Sequence, residues 1–288
     1  GKVSEDASLS RKIEAKVAIP SLAKYAFVAN STMRFGVGTE VFGPIHSNGG
    51  IRFDGLAHNI VSSAVANYDD PDHSGGNEFG VHTHITPTDP LPPSAVPSRT
   101  DIFLTGRQFP VPAVDFVGLT ADFSQLKTDA QAGGRYFASS GNLGYRVVLK
   151  TNDTFDLYRV NSLRNPPGGC SSSQSGWGTW SIGTAGSAQT LLGNYANPAN
   201  GIIFLEDKVW VEGQVNSARL TIVSAKFPEN PSTYTSITVN DNLIYSNYDG
   251  QDVVALMAQN NINVGLYSAN DLKIDAAFTA DMSLEEAV

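Results

Sequence analysis

All five histidines of this 288-residue chain, His46, His58, His73, His82 and His84, fall in one short part of it. His82-Thr83-His84 is the most pointed arrangement, because residues two apart on a strand share a face. Asp69, Asp70, Asp72 and Glu78 stand close by in sequence. Imidazole combined with carboxylate is a donor set that zinc and related divalent ions accept. His82, His84, His73 and Asp72 are therefore the candidate metal ligands. Calcium is the alternative ion, since Tyr68-Asp-Asp-Pro-Asp72 and Asn152-Asp153 are rich in the oxygens it takes. The chain has no Asp-x-Asp-x-Asp-Gly loop, and ordinary Asx turns account for the same residues.

Other chemistry has weaker support. Glycoside cleavage needs two carboxylates at a set separation; Asp101, Asp115 and Asp122 are available, but nothing in the sequence pairs them. A Gly-x-Ser-x-Gly nucleophile elbow is absent. The chain is accordingly expected not to be an enzyme, with no catalytic residues and no organic cofactor. Trp177, Trp180 and Tyr195 lie in a Gly/Ser-rich stretch, where exposed rings would stack on sugars or fill a partner's pocket and buried ones would pin the loop. The single cysteine, Cys170, excludes an intrachain disulfide and reads as a spare thiol that can still bridge to another chain.

Composition narrows the class further. The net charge of −9 comes with no basic cluster, which argues against nucleic acid as a partner. Only 16% of residues are charged while 41% are hydrophobic, a palette of uncharged surface over a real core that suits extracellular β proteins. No run approaches the ~20 apolar residues of a membrane span. The abrupt start at Gly1-Lys-Val and stop at Glu-Glu-Ala-Val288 suggest a trimmed piece, so membrane attachment is expected only through a missing N-terminal helix.

Four segments position these residues. Residues 1–34 are expected to be a helical stalk remnant: Ser4 is a plausible cap, and Leu9, Ile13, Val17, Leu22, Tyr25, Ala29 and Met33 make an apolar side. Residues 35–115 show short β runs and a long polar, Pro-rich excursion over 67–112. Residues 116–200 suggest an inserted α+β lobe. It holds a helix over Leu119–Ala132 ended by Gly133-Gly134, a hairpin pairing Tyr145–Leu149 with Phe155–Val160, and a Gly/Ser-rich loop over 162–200.

Residues 201–288 repeat short apolar alternations after polar pairs, at Val209-Trp-Val211, Leu243-Ile-Tyr245, Ile262-Asn-Val264 and Leu272-Lys-Ile274. Further period-2 runs lie at Leu220–Ile222, Ile237–Val239 and Val253–Met257. Short strands with Asn and Asp at the bends are what a parallel β-solenoid requires. Pro44–Gly55 would add rungs to the same stack. The expected class is mainly β, solenoid-like, with a β-sandwich as the alternative.

Three segments carry a resemblance: Gly43-Pro-Ile-His-Ser-Asn-Gly-Gly-Ile, the run from Gly201-Ile-Ile-Phe-Leu through Val209-Trp-Val-Glu-Gly-Gln-Val, and the closing Ala258-Gln-Asn-Asn-Ile through Ile274-Asp-Ala-Ala-Phe. In these the chain resembles bacterial prepilin-like and type IV pilus-assembly-like surface proteins, in which an N-terminal helix bears a β-solenoid-like head. The resemblance implies a structural or adhesive role outside the cytoplasm. Its implied partners are other pilus or envelope subunits, or surface glycans, and it brings no catalytic residues. The competing expectation is a carbohydrate-binding or carbohydrate-cleaving protein on the same scaffold.

Overall fold

A computed structural model of the protein describes the backbone of residues 2–3, 6–10, 24–70, 73, 75–166, 180–280 and 284–285, with side chains for all of these except 2–3, 6–10, 117–122 and 284–285. The described chain is mainly β, built on two large sheets. The nine-stranded sheet runs in space through Arg107–Gln108, Val61–Ser63, Ile45–Ser47, Phe27–Ala29, Ala277–Ala280, Val253–Ala258, Arg219–Ser224, Ile202–Leu205 and Arg135–Phe137. Every pairing in it is parallel, unlike the sheets of an antiparallel sandwich. The ten-stranded sheet runs through Val81–His82, Ile51–Phe53, Met33–Phe35, Leu284–Glu285, Ile262–Val264, Ile237–Tyr245, Val209–Val215, Gly144–Leu149, Thr154–Val160 and Gln189–Ala196. Its last two pairings are antiparallel and the rest parallel.

Period-2 alternation explains where the core sits. Ile203 and Leu205 point between the sheets while Phe204 points away, and Val209 and Val211 point in while Trp210 points out. One apolar cluster fills the space between the sheets, with Ile45, Ile51, Phe53, Val147, Leu157, Ile222, Val239 and Leu256 fully buried in it. The outer face of the nine-stranded sheet is apolar too, because the helix Val117–Gly133 lies on it. Phe123 and Ala130 of that helix pack with Val28, Phe204 and Val223. Burying a side chain such as Phe204 contributes about 1.5–3 kcal/mol.

The order of strands is not the order of the chain. Successive strands mostly alternate between the two sheets, and the first of them stack outward from the middle toward Arg107–Gln108. After the helix the chain resumes at the opposite end with Arg135–Phe137. It then works back until Ala277–Ala280 pairs with Phe27–Ala29. Polar bend residues tie neighbouring turns through their side chains. Gln259 both accepts from the Lys226 N–H (2.8 Å) and donates to its carbonyl (3.3 Å), and Asp252 accepts from the N–H groups of Ala218 (3.3 Å) and Asn247 (2.9 Å). Among the described residues the non-glycine positive-φ positions are Arg99, Asp153 and Ser217, so the Asn-rich bends work by side-chain pairing and not by left-handed turns.

Two expectations need correction. The helix expected over residues 4–33 is not what the described part of that stretch forms: 6–10, Phe27–Ala29 and Met33–Phe35 are strands, and 11–23 lie outside the described residues. Tyr25-Ala-Phe-Val-Ala29 is apolar throughout because its strand is covered on both faces, Ala29 by the core and Val28 by the helix cluster. Residues 116–200 do contain the expected helix and hairpin. They are not a separate lobe, however, since Arg135–Phe137 extends one sheet and Gly144–Leu149 with its hairpin partners extends the other.

The described residues of the polar, Pro-rich 67–112 excursion cap one end of the core. The side chain of Arg107 is buried, its Nη1 2.5 Å from Asp89 Oδ2 and 2.8 Å from the Val81 carbonyl that accepts from it. Arg99 donates to the carbonyls of Ile85 (3.1 Å) and Pro87 (2.6 Å) and reaches Asp89 Oδ1 at 3.5 Å. Phe103 and Ile102 fill the core beneath them.

Candidate functional site

Val81 enters the core, so His82, the next residue on that strand, faces away from it. His84 lies on the same side, its ring centroid 5.0 Å from that of His82. Thr83 between them locks the segment: its hydroxyl donates to Asp54 Oδ1 (3.1 Å), which also accepts the His84 N–H (2.7 Å). On the same face come Arg52, on the neighbouring strand and opposite His82 in register, and then Arg34 one strand further.

A short antiparallel hairpin, Asn67–Tyr68 with Glu78–Phe79, folds over these histidines. It can approach so closely because two neighbours lack a side chain. A Cβ at Gly50 would sit 1.9 Å from the Tyr68 ring, and one at Gly80 would sit 1.9 Å from the Val65 carbonyl oxygen. The Tyr68 ring rests 5.3 Å from that of His82. Burial, reinforced by the charges of Asp70 and Glu78, holds the Tyr68 hydroxyl far above the usual phenol range.

The hairpin carries Asp70, His73 and Glu78 to the histidines. Asp70 Oδ2 lies 3.3 Å from His82 Nε2, 4.0 Å from His84 Nε2 and 3.7 Å from Arg52 Nη1. Glu78 accepts the Asp70 N–H on one oxygen (2.9 Å) and stands 2.5 Å from His73 Nδ1 with the other. His73 and His84 have ring centroids 4.8 Å apart. The donor atoms of Asp70, His82 and His84 lie within 4.8 Å of one another, as do those of His73, Glu78 and His84. His82, Asp70 and Glu78 are buried, while His73 and His84 form the partly open side.

Two nitrogens here, His82 Nδ1 and His84 Nε2, are buried without a hydrogen-bond partner among the described residues. Burial, with Arg52 and His82 adding to it, holds the His84 imidazole below its ordinary value despite the opposing charges of Asp54 and Asp70. A neutral imidazole presents a lone pair, which suits it to ligation.

Of the residues singled out in the sequence, His73, His82 and His84 come together. Asp72 lies outside the described residues, and the carboxylates that meet the imidazoles are Asp70 and Glu78. The signal that finds them is the hairpin, which turns Glu78 back toward Asp70. His46 is elsewhere, buried on the nine-stranded sheet against Ser62 (3.0 Å) and Asn48 (3.2 Å), and His58 is half-buried beside Glu40. Of the calcium candidates, Pro71 and Asp72 lie outside the described residues, and Asn152 and Asp153 form the exposed turn of the Gly144–Val160 hairpin, where Thr154 Oγ1 donates to Asn152 Oδ1 (2.7 Å).

Trp177 and Cys170 lie outside the described residues. The Trp180 carbonyl accepts from Trp210 Nε1 at 2.5 Å. Tyr195 stacks on Phe155 (5.7 Å) and meets Phe137 edge-on (5.2 Å), closing the core at the end opposite the 67–112 cap. A separate open cleft lies along the ten-stranded sheet, lined by Lys150, Asn152, Glu212, Gln214, Asp241 and Asn242. Glu212 is tied there to Arg146 and Asn240.

No protein-family model, curated protein or solved structure matches this chain. Among the described residues, no helix is long and apolar enough to cross a membrane.

Proposed function

We propose that this chain is a non-enzymatic structural or adhesive protein of the cell envelope, with its strands wound as a parallel β-solenoid. The observation that carries the reading is the strand path: successive strands mostly alternate between two sheets whose turns stack in parallel register. Such a stack supplies a stiff frame with long lateral surfaces. The prepilin-like segments support the envelope setting and point to other envelope subunits or surface glycans as partners. The pilus-specific part of that resemblance leans on an N-terminal helix, whereas Phe27–Ala29 and Met33–Phe35 are strands.

The cleft lined by Lys150, Gln214, Asp241 and Asn242 favours glycans among those partners, because it offers several uncharged and charged hydrogen-bonding groups in an open trough. A polysaccharide panel tested against the immobilised chain should yield a retained glycan, with binding weakened by the double substitution Gln214→Ala and Asn242→Ala. Release of reducing ends from any panel member would overturn the non-enzymatic reading. Recovery of the native protein in the cytosolic fraction of its cells would overturn the envelope setting.

A further inference from the structure

The geometry points to a first-row divalent metal site of the zinc type, in which Asp70, His82 and His84 supply three donors and His73, oriented by Glu78, supplies the fourth. It is independent of the scaffold reading above. Two ligands each about 2.1 Å from a tetrahedral ion lie about 3.4 Å apart. The separations from Asp70 Oδ2 to His82 Nε2 and His84 Nε2, 3.3 and 4.0 Å, bracket that spacing without an ion to impose it.

Three further observations converge on an ion. His84 Nε2, the atom 4.0 Å from Asp70 Oδ2, is buried without a hydrogen-bond partner among the described residues, and leaving it so costs roughly 1–3 kcal/mol. Asp54 and Asp70 pair with the adjacent guanidinium of Arg52, and Glu78 bonds the Asp70 N–H and His73, so carboxylate oxygens gather beside the imidazoles. The contact between Glu78 and His73 Nδ1 is the carboxylate–imidazole pairing that commonly fixes a metal-bound histidine. Nitrogen donors in the majority select zinc-like ions over calcium or magnesium.

The ligands come from two pieces of chain, His82 and His84 from the sheet and Asp70 and His73 from the hairpin over it. An ion held between them would fasten the hairpin to the edge of the stack. Four protein ligands leave no open coordination position, which makes this a structural centre and not a hydrolytic one.

Titration calorimetry of the chelator-treated full chain with zinc chloride tests this directly. One ion per chain should bind at micromolar affinity or tighter, raise the melting temperature and slow proteolysis within residues 67–79. Cobalt(II) in the same site should show the intense visible absorption of a tetrahedral centre. His82→Ala with His84→Ala should abolish binding, and Glu78→Gln should weaken it about 10–100-fold. His73→Ala, at a more exposed position, keeps the test usable if the double variant fails to fold, and it too should weaken binding. His58→Ala should bind as the unaltered chain does. Failure of the unaltered chain to bind zinc, or unchanged affinity in a folded His73→Ala or His82→Ala/His84→Ala protein, would overturn the assignment.

Discussion

Phe27 and Phe278 stack face to face, their ring centroids 4.7 Å apart and their planes 9° from parallel, although they lie near opposite ends of the described chain. The contact marks the seam where a late strand of the nine-stranded sheet meets its earliest one, and Phe278↔Phe27 is also a register pair. Phe278→Ala removes a buried ring there and should cost about 3–5 kcal/mol in denaturant unfolding. A loss under 1 kcal/mol would mean that the seam is not closed.

Asp89 holds two guanidiniums in the cap, with side chains at the Arg107 contact only 3% exposed on either side. Asp89→Ala strands buried charge and should destabilise by about 3–5 kcal/mol. Asp101→Ala, whose exposed carboxylate meets Arg99 at 2.8 Å, should change stability by only about 0–1 kcal/mol. Equal effects of the two substitutions would refute the burial argument.

Gly50→Ala places a methyl group where the Tyr68 ring lies. The ring must shift away from His82, at a cost of about 1–3 kcal/mol for overpacking. Hydrogen exchange should quicken in the hairpin Asn67–Phe79 and stay unchanged in strands 253–258 on the other sheet. Uniform protection across the chain would count against it.

His46 supplies a pH dependence. Burial holds its imidazole below the ordinary value of 6.5, Lys24 adds to this, and the Asn48 contact partly opposes it. The unfolded chain therefore takes up this proton first. The stabilising contribution is complete above pH 6.5 and is lost as pH falls from there through the folded value. His46→Gln should flatten the decline of unfolding free energy just below pH 6.5, leaving a residual slope from His84, which is lowered in the same direction. A His46 ring resonance that titrates at or above pH 6.5 in the folded protein would contradict it.

The parts of the fold that were legible in the sequence are the local ones. The hairpin at Tyr145–Val160 and the helix face of Phe123, Leu126 and Ala130 depend on residues a few positions apart, and both are present. The repeated runs at Val209–Val211, Ile237–Val239 and Ile262–Val264 are strands in one sheet for the same reason. What the sequence concealed is either long-range or two-sided. Nothing local says that Phe27 meets Phe278, and a strand covered on both faces carries the same continuous apolar signal as a buried helix. At the candidate site, alternation put His82 and His84 together. That Asp70 and Glu78 join them depends on a hairpin whose tight approach is set by Gly50 and Gly80, while Asp72 lies outside the described residues.

The two ends of the sheets are finished differently. Beside the 67–112 cap, the outermost strands, Val81–His82 and Arg107–Gln108, have two residues each. The ten-stranded sheet ends at its other side on Gln189–Ala196, eight residues without a charged side chain, where Leu191 and Leu192 are exposed. Short edges discourage strand addition, whereas long uncharged ones permit it. The molecule thus has a heading, with a blunt tip at one side and a long uncharged strand edge at the other.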